Sequence, residues 1–280
     1  MSHNKQKKAA VINDFSGFGR CSLAVALPIL STMQIQCCPL PTALFSNHTG
    51  FDSFYCMDFT GHMGRYMDEW GKLGLEFEAI ETGFLGSVDQ VRIVEEFVRR
   101  FKTEKTVVVV DPVMGDYGKL YPTYSTELAQ AMGALTQYAD IMTPNLTELC
   151  VLTGTEYQER FSEKELEEMC QKLAAQGPKK IVISGLVLDE NTLGNFIFEV
   201  GQEPVMLCRE KIGPYRSGTG DVFAAVITGC AVCGEPFLDS VKKASEFITT
   251  AIRKTVELDI PTTDGICFEE YLTMLRQENN

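Results

Sequence analysis

The chain has 280 residues, 45% hydrophobic and 22% charged, with a formal net charge of −13. That length holds one large α/β domain or two small ones around a substantial core, and the acidic balance argues against nucleic acid or an anionic membrane as a partner. An anionic substrate would need local positive sites: backbone N–H nests, a few Lys or Arg, or a bound cation. The start, Met1–Lys8, is polar and basic, and no signal-type apolar region with a cleavage site follows it. No stretch approaches the roughly 20 apolar residues of a membrane span, so cytoplasm is the expected location. Ten cysteines are scattered, several (Cys21, Cys150, Cys170, Cys230) inside apolar segments, which fits a reduced compartment. Cys230 and Cys233 have CxxC spacing, but with no second pair and no histidine nearby they read as core filling.

In chain order, Ala9–Ile12 predicts a first buried strand ending at Asn13-Asp14, then a glycine loop (Ser16-Gly17-Phe18-Gly19) and a helix from about Cys21 to Met33. The loop is neither a Walker A motif nor G-x-G-x-x-G, because no Gly-Lys-Ser/Thr follows and Ser22 replaces the third glycine. Asp14 is a candidate contact at a strand end, where open α/β sheets place ligands, or else a turn former. Gln34–Phe45 contains β-type runs broken by Pro39 and Pro41, then a donor-rich cluster, Ser46-Asn47-His48-Thr49-Gly50, that either binds something or makes a turn. Phe51, Phe54, Tyr55 and Phe59 follow as a small flap or as core.

Helical patterns over Asp58–Lys72 and Ser87–Phe101 flank a strand ending Thr82-Gly83-Phe84. Thr106–Asp111 is the clearest parallel-type strand, apolar on both faces, and it stops at Asp111-Pro112 before a glycine-bearing loop. A carboxylate there is poor core material and well placed for a site. A helix over Thr126–Tyr138 precedes Thr143-Pro144-Asn145-x-x-Glu148, which on its face is a capping box opening a helix to Gly154; Ser162-x-x-Glu165 opens the next helix in the same way. Lys179–Gly185 predicts another buried strand ending in Ser184, and Leu193–Val200 with Val205–Cys208 a possible antiparallel pair.

Gly218-Thr219-Gly220-Asp221 then feeds an apolar run uncharged from Val222 to Gly234, which predicts a buried helix. A glycine turn at a helix start aims free N–H groups and the positive dipole end at an anion, with Asp221 beside it to deprotonate an attacking hydroxyl. The alternative is that Thr219 and Asp221 merely cap a core helix. Further helices are expected over Asp239–Thr255 and Phe268–Arg276, and no linker or repeat divides residues 1–280, with 1–8 as a polar tail. Strands alternating with helices imply a parallel sheet, whose carboxyl edge would gather Asp14, Thr49, Phe84, Asp111, Thr143 and Ser184 near the glycine turn.

Together these stretches resemble the ribokinase-like superfamily and, within it, the pyridoxal (vitamin B6) kinases, over about Val11–Thr255. The matching residues are Gly218–Asp221, Asp111–Asp116, Thr143-Pro144-Asn145-x-x-Glu148 and Ser46–Gly50. The resemblance implies an α/β, three-layer fold with a central, mostly parallel sheet flanked by helices. It also implies a homodimer and the use of Mg-ATP, with a monovalent cation as a further candidate. Asp221 would be the base for the substrate's 5′-hydroxymethyl group, and the backbone of Gly218, Thr219 and Gly220 the anion hole. Asp111 and Glu148 would hold magnesium, with Thr143, Asn145, Ser184 and Thr219 on the ATP side. Thr49, Gly50 and Phe84 would line the pyridine pocket together with Asp14, which stands where B6 kinases often carry serine. That departure leaves the vitamer open and keeps hydroxymethylpyrimidine phosphorylation as an alternative, alongside a catalytically silent B6 binder. Thr219 stands where a cysteine would be needed to trap an aldehyde covalently.

Overall fold

Runs that are apolar on both faces are stable only inside a sheet covered on both sides, and they form its centre. The computed structural model describes residues 2–121 and 123–276. In chain order the elements begin β1 (Lys8–Ser16), α1 (Ser22–Thr32), β2 (Gln36–Phe45), β3 (Cys56–Asp58), α2 (Thr60–Leu73), β4 (Ala79–Thr82) and α3 (Val88–Phe101). They continue with β5 (Val107–Val110), the hairpin β6 (Gly115–Asp116) and β7 (Lys119–Leu120), α4 (Thr126–Met132), β8 (Ile141–Met142), α5 (Leu146–Thr153) and α6 (Glu163–Ala174). The last are β9 (Lys180–Val187), β10 (Thr192–Glu199), β11 (Val205–Glu210), α7 (Thr219–Cys233) and α8 (Phe237–Glu257).

Nine strands form one sheet in the order β11-β10-β9-β8-β5-β4-β1-β2-β3. The six from β9 to β2 run parallel, while the edge pairings β2–β3, β9–β10 and β10–β11 are antiparallel. One face is covered by α2 to α6 and the other by α1, α7 and α8, each over its own core cluster. This is the expected three-layer α/β fold with a mostly parallel sheet. From β1 the chain goes outward to β2 and later returns to β4 on β1's other side. Such a switch point opens a crevice at the carboxyl ends of the two strands, where open α/β sheets bind ligands.

The structure corrects several expectations. β2 is unbroken through Pro39 and Pro41, which pair with Val11 and Asn13. Gln36 donates to Lys7 of the β1 side, so Pro39 and Pro41, an odd number of residues away, turn toward an edge that β3 covers only from Ala43 onward. Their missing N–H groups therefore cost no ladder bond. The helix expected to Tyr138 changes at Gly133 to a 3₁₀ turn, as does the final segment, Glu269–Leu275. Lys8 belongs to β1 and is 3% exposed, so the polar tail is shorter than expected; Met1 lies outside the described residues. The aromatic group divides: Phe59 packs on the core, Phe51 rests on Phe18 and His48, and Phe54 and Tyr55 are exposed. All ten cysteines are free thiols.

One buried group is at odds with its surroundings. Glu81 on β4 lies between Val11 and Val109, 2% exposed, and its Oε2 has no hydrogen-bond partner. Burial pushes its carboxyl up to about 8, with Asp111 and Asp221 adding repulsion; the Thr228 hydroxyl tempers this without making a formal hydrogen bond. A carboxyl whose value is raised by folding adds most stability below its unfolded value, near 4.5, and loses that contribution as the pH climbs toward about 8. Glu81→Gln removes the titration. In urea unfolding at a series of pH values, the variant should gain on the wild type steadily between pH 5 and pH 8, by a few kcal/mol in all; parallel curves would show that Glu81 does not titrate this way.

Candidate active site

A cavity of about 630 Å³ opens over the carboxyl edge of the sheet at the switch point. Every residue singled out from the sequence as a site candidate borders it: Asp14 from β1, Thr49 and Gly50 after β2, Phe84 after β4, Asp111 after β5, Thr143, Asn145 and Glu148 around the start of α5, Ser184 on β9, and Gly218–Asp221 at the start of α7.

The start of α7 is fixed by Gly218, which has φ +78°; a Cβ there would stand 1.8 Å from the Arg20 carbonyl oxygen. No side chain caps this helix. The Thr219 hydroxyl turns back to donate to the Arg216 carbonyl at 3.3 Å, and Asp221 Oδ1 accepts from the Asn13 amide at 3.1 Å. Simple capping by Thr219 and Asp221 is thus not what the turn does; its N–H groups and the positive end of the dipole face the cavity. Burial raises the Asp221 carboxyl, opposed by the Ser22 backbone N–H, the Asn13 amide and the nearby His48.

Asp14 is 5% exposed and accepts from the Ser22 hydroxyl at 2.5 Å and the Ser16 hydroxyl at 3.0 Å. Burial lifts it to about 6, and Asp221 adds repulsion. Phe84 forms an aromatic wall, edge-on to Phe45 and Tyr124 with centroids 5.9 Å and 6.1 Å away. Its backbone N–H donates to Asn13 Oδ1 at 2.9 Å. Asn13 therefore joins β4 to Asp221 across the crevice, a function its sequence context, a strand end beside Asp14, does not disclose. His48 is also engaged at both nitrogens: Nε2 donates to the Thr263 carbonyl at 2.6 Å and Nδ1 accepts from the Gly50 N–H at 3.1 Å. It ties the Thr49–Gly50 loop to the C-terminal segment.

On the other side of the cavity, Asp111 Oδ1 accepts from the Thr143 hydroxyl at 2.9 Å. Its Oδ2 lies 3.9 Å from where a Cβ on Gly220 would stand, so this carboxylate is next to the glycine turn. The capping box of Asn145 and Glu148 is fully formed. Glu148 Oε1 accepts from the Met114 N–H at 3.0 Å and Oε2 from the Asn145 N–H at 2.8 Å, while the Asn145 amide reaches the Gly115 carbonyl at 2.8 Å. Burial holds both Asp111 and Glu148 above the ordinary carboxylate range, with Asp221 adding repulsion at Asp111 and Asp111 adding it at Glu148. Among the described residues no three His, Cys, Asp or Glu gather as a metal site. Two buried carboxylates whose charge is disfavoured until a cation arrives do fit magnesium, which takes one or two carboxylates and fills its shell with phosphate and water.

Known proteins agree with this geometry. A family model described as phosphomethylpyrimidine kinase matches residues 72–263. The chain belongs to that family, among the pyridoxal kinases of the ribokinase-like superfamily. It is 29% identical to a pyridoxal kinase of Arabidopsis thaliana, across 77% of this chain and 70% of that one. A structure from Bacteroides thetaiotaomicron, described as a phosphomethylpyrimidine kinase and solved with pyridoxal, superposes with a TM-score of 0.93 at 38% identity, covering 97% of this chain and 96% of that one. Pyridoxal kinase from Lactobacillus plantarum gives 0.88 at 28% identity, covering 97% of each chain. The protein is a kinase.

The cavity is bordered by a helix start that tolerates only glycine at 218. Gly218→Ala should abolish measurable phosphoryl transfer and lower stability by about 1–3 kcal/mol, since it combines a left-handed backbone with a clash against a carbonyl. Circular dichroism and a thermal melt would separate the two effects, and a variant with normal turnover would show that the turn is not the anion site.

Proposed function

We propose that this kinase transfers the γ-phosphoryl group of ATP to the 5′-hydroxymethyl group of pyridoxal, pyridoxamine or pyridoxine. What carries the reading is Asp221: a carboxylate in the first turn of an uncapped helix, open to a cavity that also holds an aromatic wall and a second pair of carboxylates. Steadied by the Asn13 amide and the Ser22 N–H, the Asp221 carboxylate takes the proton of the hydroxyl as it attacks. The N–H groups of the Gly218–Gly220 turn stabilise the charge on the group in flight, at no reorganisation cost. Phe84 offers a face to the pyridine ring, and Asp14, Thr49 and Gly50 its polar edge contacts. Thr143, Asn145, Ser184 and Thr219 border the nucleotide side. Asp111 and Glu148 would hold magnesium, directly or through water, and the chemistry it would supply there is neutralisation of phosphate charge. A cytoplasmic homodimer belongs to the same reading.

The family model's description favours a second acceptor, a hydroxymethylpyrimidine or its phosphate. The test is ADP release with Mg-ATP against the three vitamers, hydroxymethylpyrimidine and ribose. Turnover on a vitamer should fall about 10²–10⁴-fold in Asp221→Asn, the usual loss for a general base. Unchanged turnover in that variant would remove Asp221 from its role. Turnover on hydroxymethylpyrimidine alone would move the substrate and keep the mechanism, and ADP release with no acceptor would sink the kinase reading of the pocket.

A further inference from the structure

Phe84 and Asp221 both border the cavity, and one side chain behind its wall holds them together. Asn13, near the carboxyl end of β1, is 3% exposed. Its Oδ1 accepts the backbone N–H groups of Asp14 and Phe84, each at 2.9 Å. An amide oxygen only accepts and an amide nitrogen only donates, so those donors fix which way the side chain faces. Nδ2 is thereby aimed at Asp221 Oδ1, 3.1 Å away. Turning the amide over would set N–H against N–H and leave buried groups unpaired.

The space around that amide leaves it little slack. A Cβ on Gly83 would stand 2.3 Å from Asn13 Nδ2 and 2.8 Å from Oδ1, so the amide rests on bare backbone just past β4. The next residue, Phe84, is gripped at its carbonyl by the Thr42 hydroxyl at 2.9 Å. The β1–β2 pairing slips by one residue here, from Asn13 opposite Pro41 to Phe15 opposite Leu44. Such bulges re-aim side chains beside active sites. Consecutive residues then serve one site, Asp14 in the cavity wall and Asn13 behind it. We propose that Asn13 is the positioning residue that sets the acceptor's reach. Its single amide holds the aromatic wall and the base at a fixed separation, so that a ring lying on Phe84 presents its hydroxymethyl group to Asp221. Oδ1 holds the wall and Nδ2 the base, and the two functions are separable. The inference rests on the kinase reading above and adds the side chain that aligns the two halves of the acceptor site.

The experiment measures ADP release with Mg-ATP and pyridoxal in Asn13→Asp, alone and combined with Asp221→Asn. Asn13→Asp keeps an oxygen for the Asp14 and Phe84 N–H groups and removes only the donor to Asp221. Its kcat should fall about 10²-fold, the usual cost of a misplaced reacting group, with KM for pyridoxal within about threefold of wild type. In the Asp221→Asn background the same change should cost less than about twofold more, because Asn13 acts through the base. A merely structural residue would add its own loss there. Gly83→Ala, which presses a methyl group on the amide, should lower kcat about tenfold and raise KM as Phe84 shifts with it. It carries the test if Asn13→Asp folds poorly by circular dichroism. A folded Asn13→Asp with full kcat, or with its loss in KM alone, overturns the inference and leaves the kinase reading intact. So do fully additive losses in the double variant, or a Gly83→Ala enzyme with unaltered kcat and KM. A wild type inactive on every acceptor overturns both.

Discussion

A Cβ on Gly218 would stand 1.8 Å from the Arg20 carbonyl, and that close approach decides where α7 begins and what its first turn can face. The loop bearing Arg20 leaves β1 through Gly19 at φ +88° and enters α1 through Ser22 at φ +52°. Both left-handed residues are needed to lay this loop against the helix start. Once it is there, short polar groups do the rest. The Ser22 hydroxyl holds Asp14 and the Asn13 amide holds Asp221, each through one hydrogen bond with little freedom to drift. The end of β1 and the start of α7, over two hundred residues apart in the chain, thus become one rigid unit. In the proposed reaction, a base that must be aligned closely with a hydroxyl would need that rigidity.

Electrostatics sets the second constraint. Desolvation raises Asp14, Asp111, Glu148 and Asp221 alike; the Asp221 charge raises Asp14 and Asp111 further, and the Asp111 charge raises Glu148. Left to itself such a cluster takes up protons. A cation entering beside Asp111 and Glu148 reverses the sign of the local potential and draws the carboxylates back to their charged forms. In the proposed reaction, ionisation of Asp221 and arrival of a cation beside Asp111 and Glu148 would therefore be linked. Away from the cavity, Glu81 has no such visitor, which is why its burial is felt as a cost in stability alone.

Most of the architecture was legible because it depends on local patterns. Alternating strands and helices announced the layers, and the polar residue closing each apolar run marked the sheet's carboxyl edge. What escaped depends on neighbours. Pro39 and Pro41 looked like strand breakers because the sequence does not say that they face a sheet edge. The turn to 3₁₀ geometry at Gly133 is likewise set by packing. Asn13 carried no motif of its own, yet it joins Phe84 to Asp221.

The two capping boxes show how far a motif reaches. Asn145-x-x-Glu148 and Ser162-x-x-Glu165 have the same spacing, and both fold into the same reciprocal cap. At Ser162 the glutamate is exposed and the hydrogen bonds of the cap hold its carboxyl below the ordinary value. At Asn145 the glutamate is 4% exposed, and burial lifts its carboxyl despite two backbone N–H donors. One local geometry thus yields opposite electrostatic states. Capping and function are not rival accounts of Glu148: the cap fixes the carboxylate's direction, and burial beside Asp111 makes it ready for a cation.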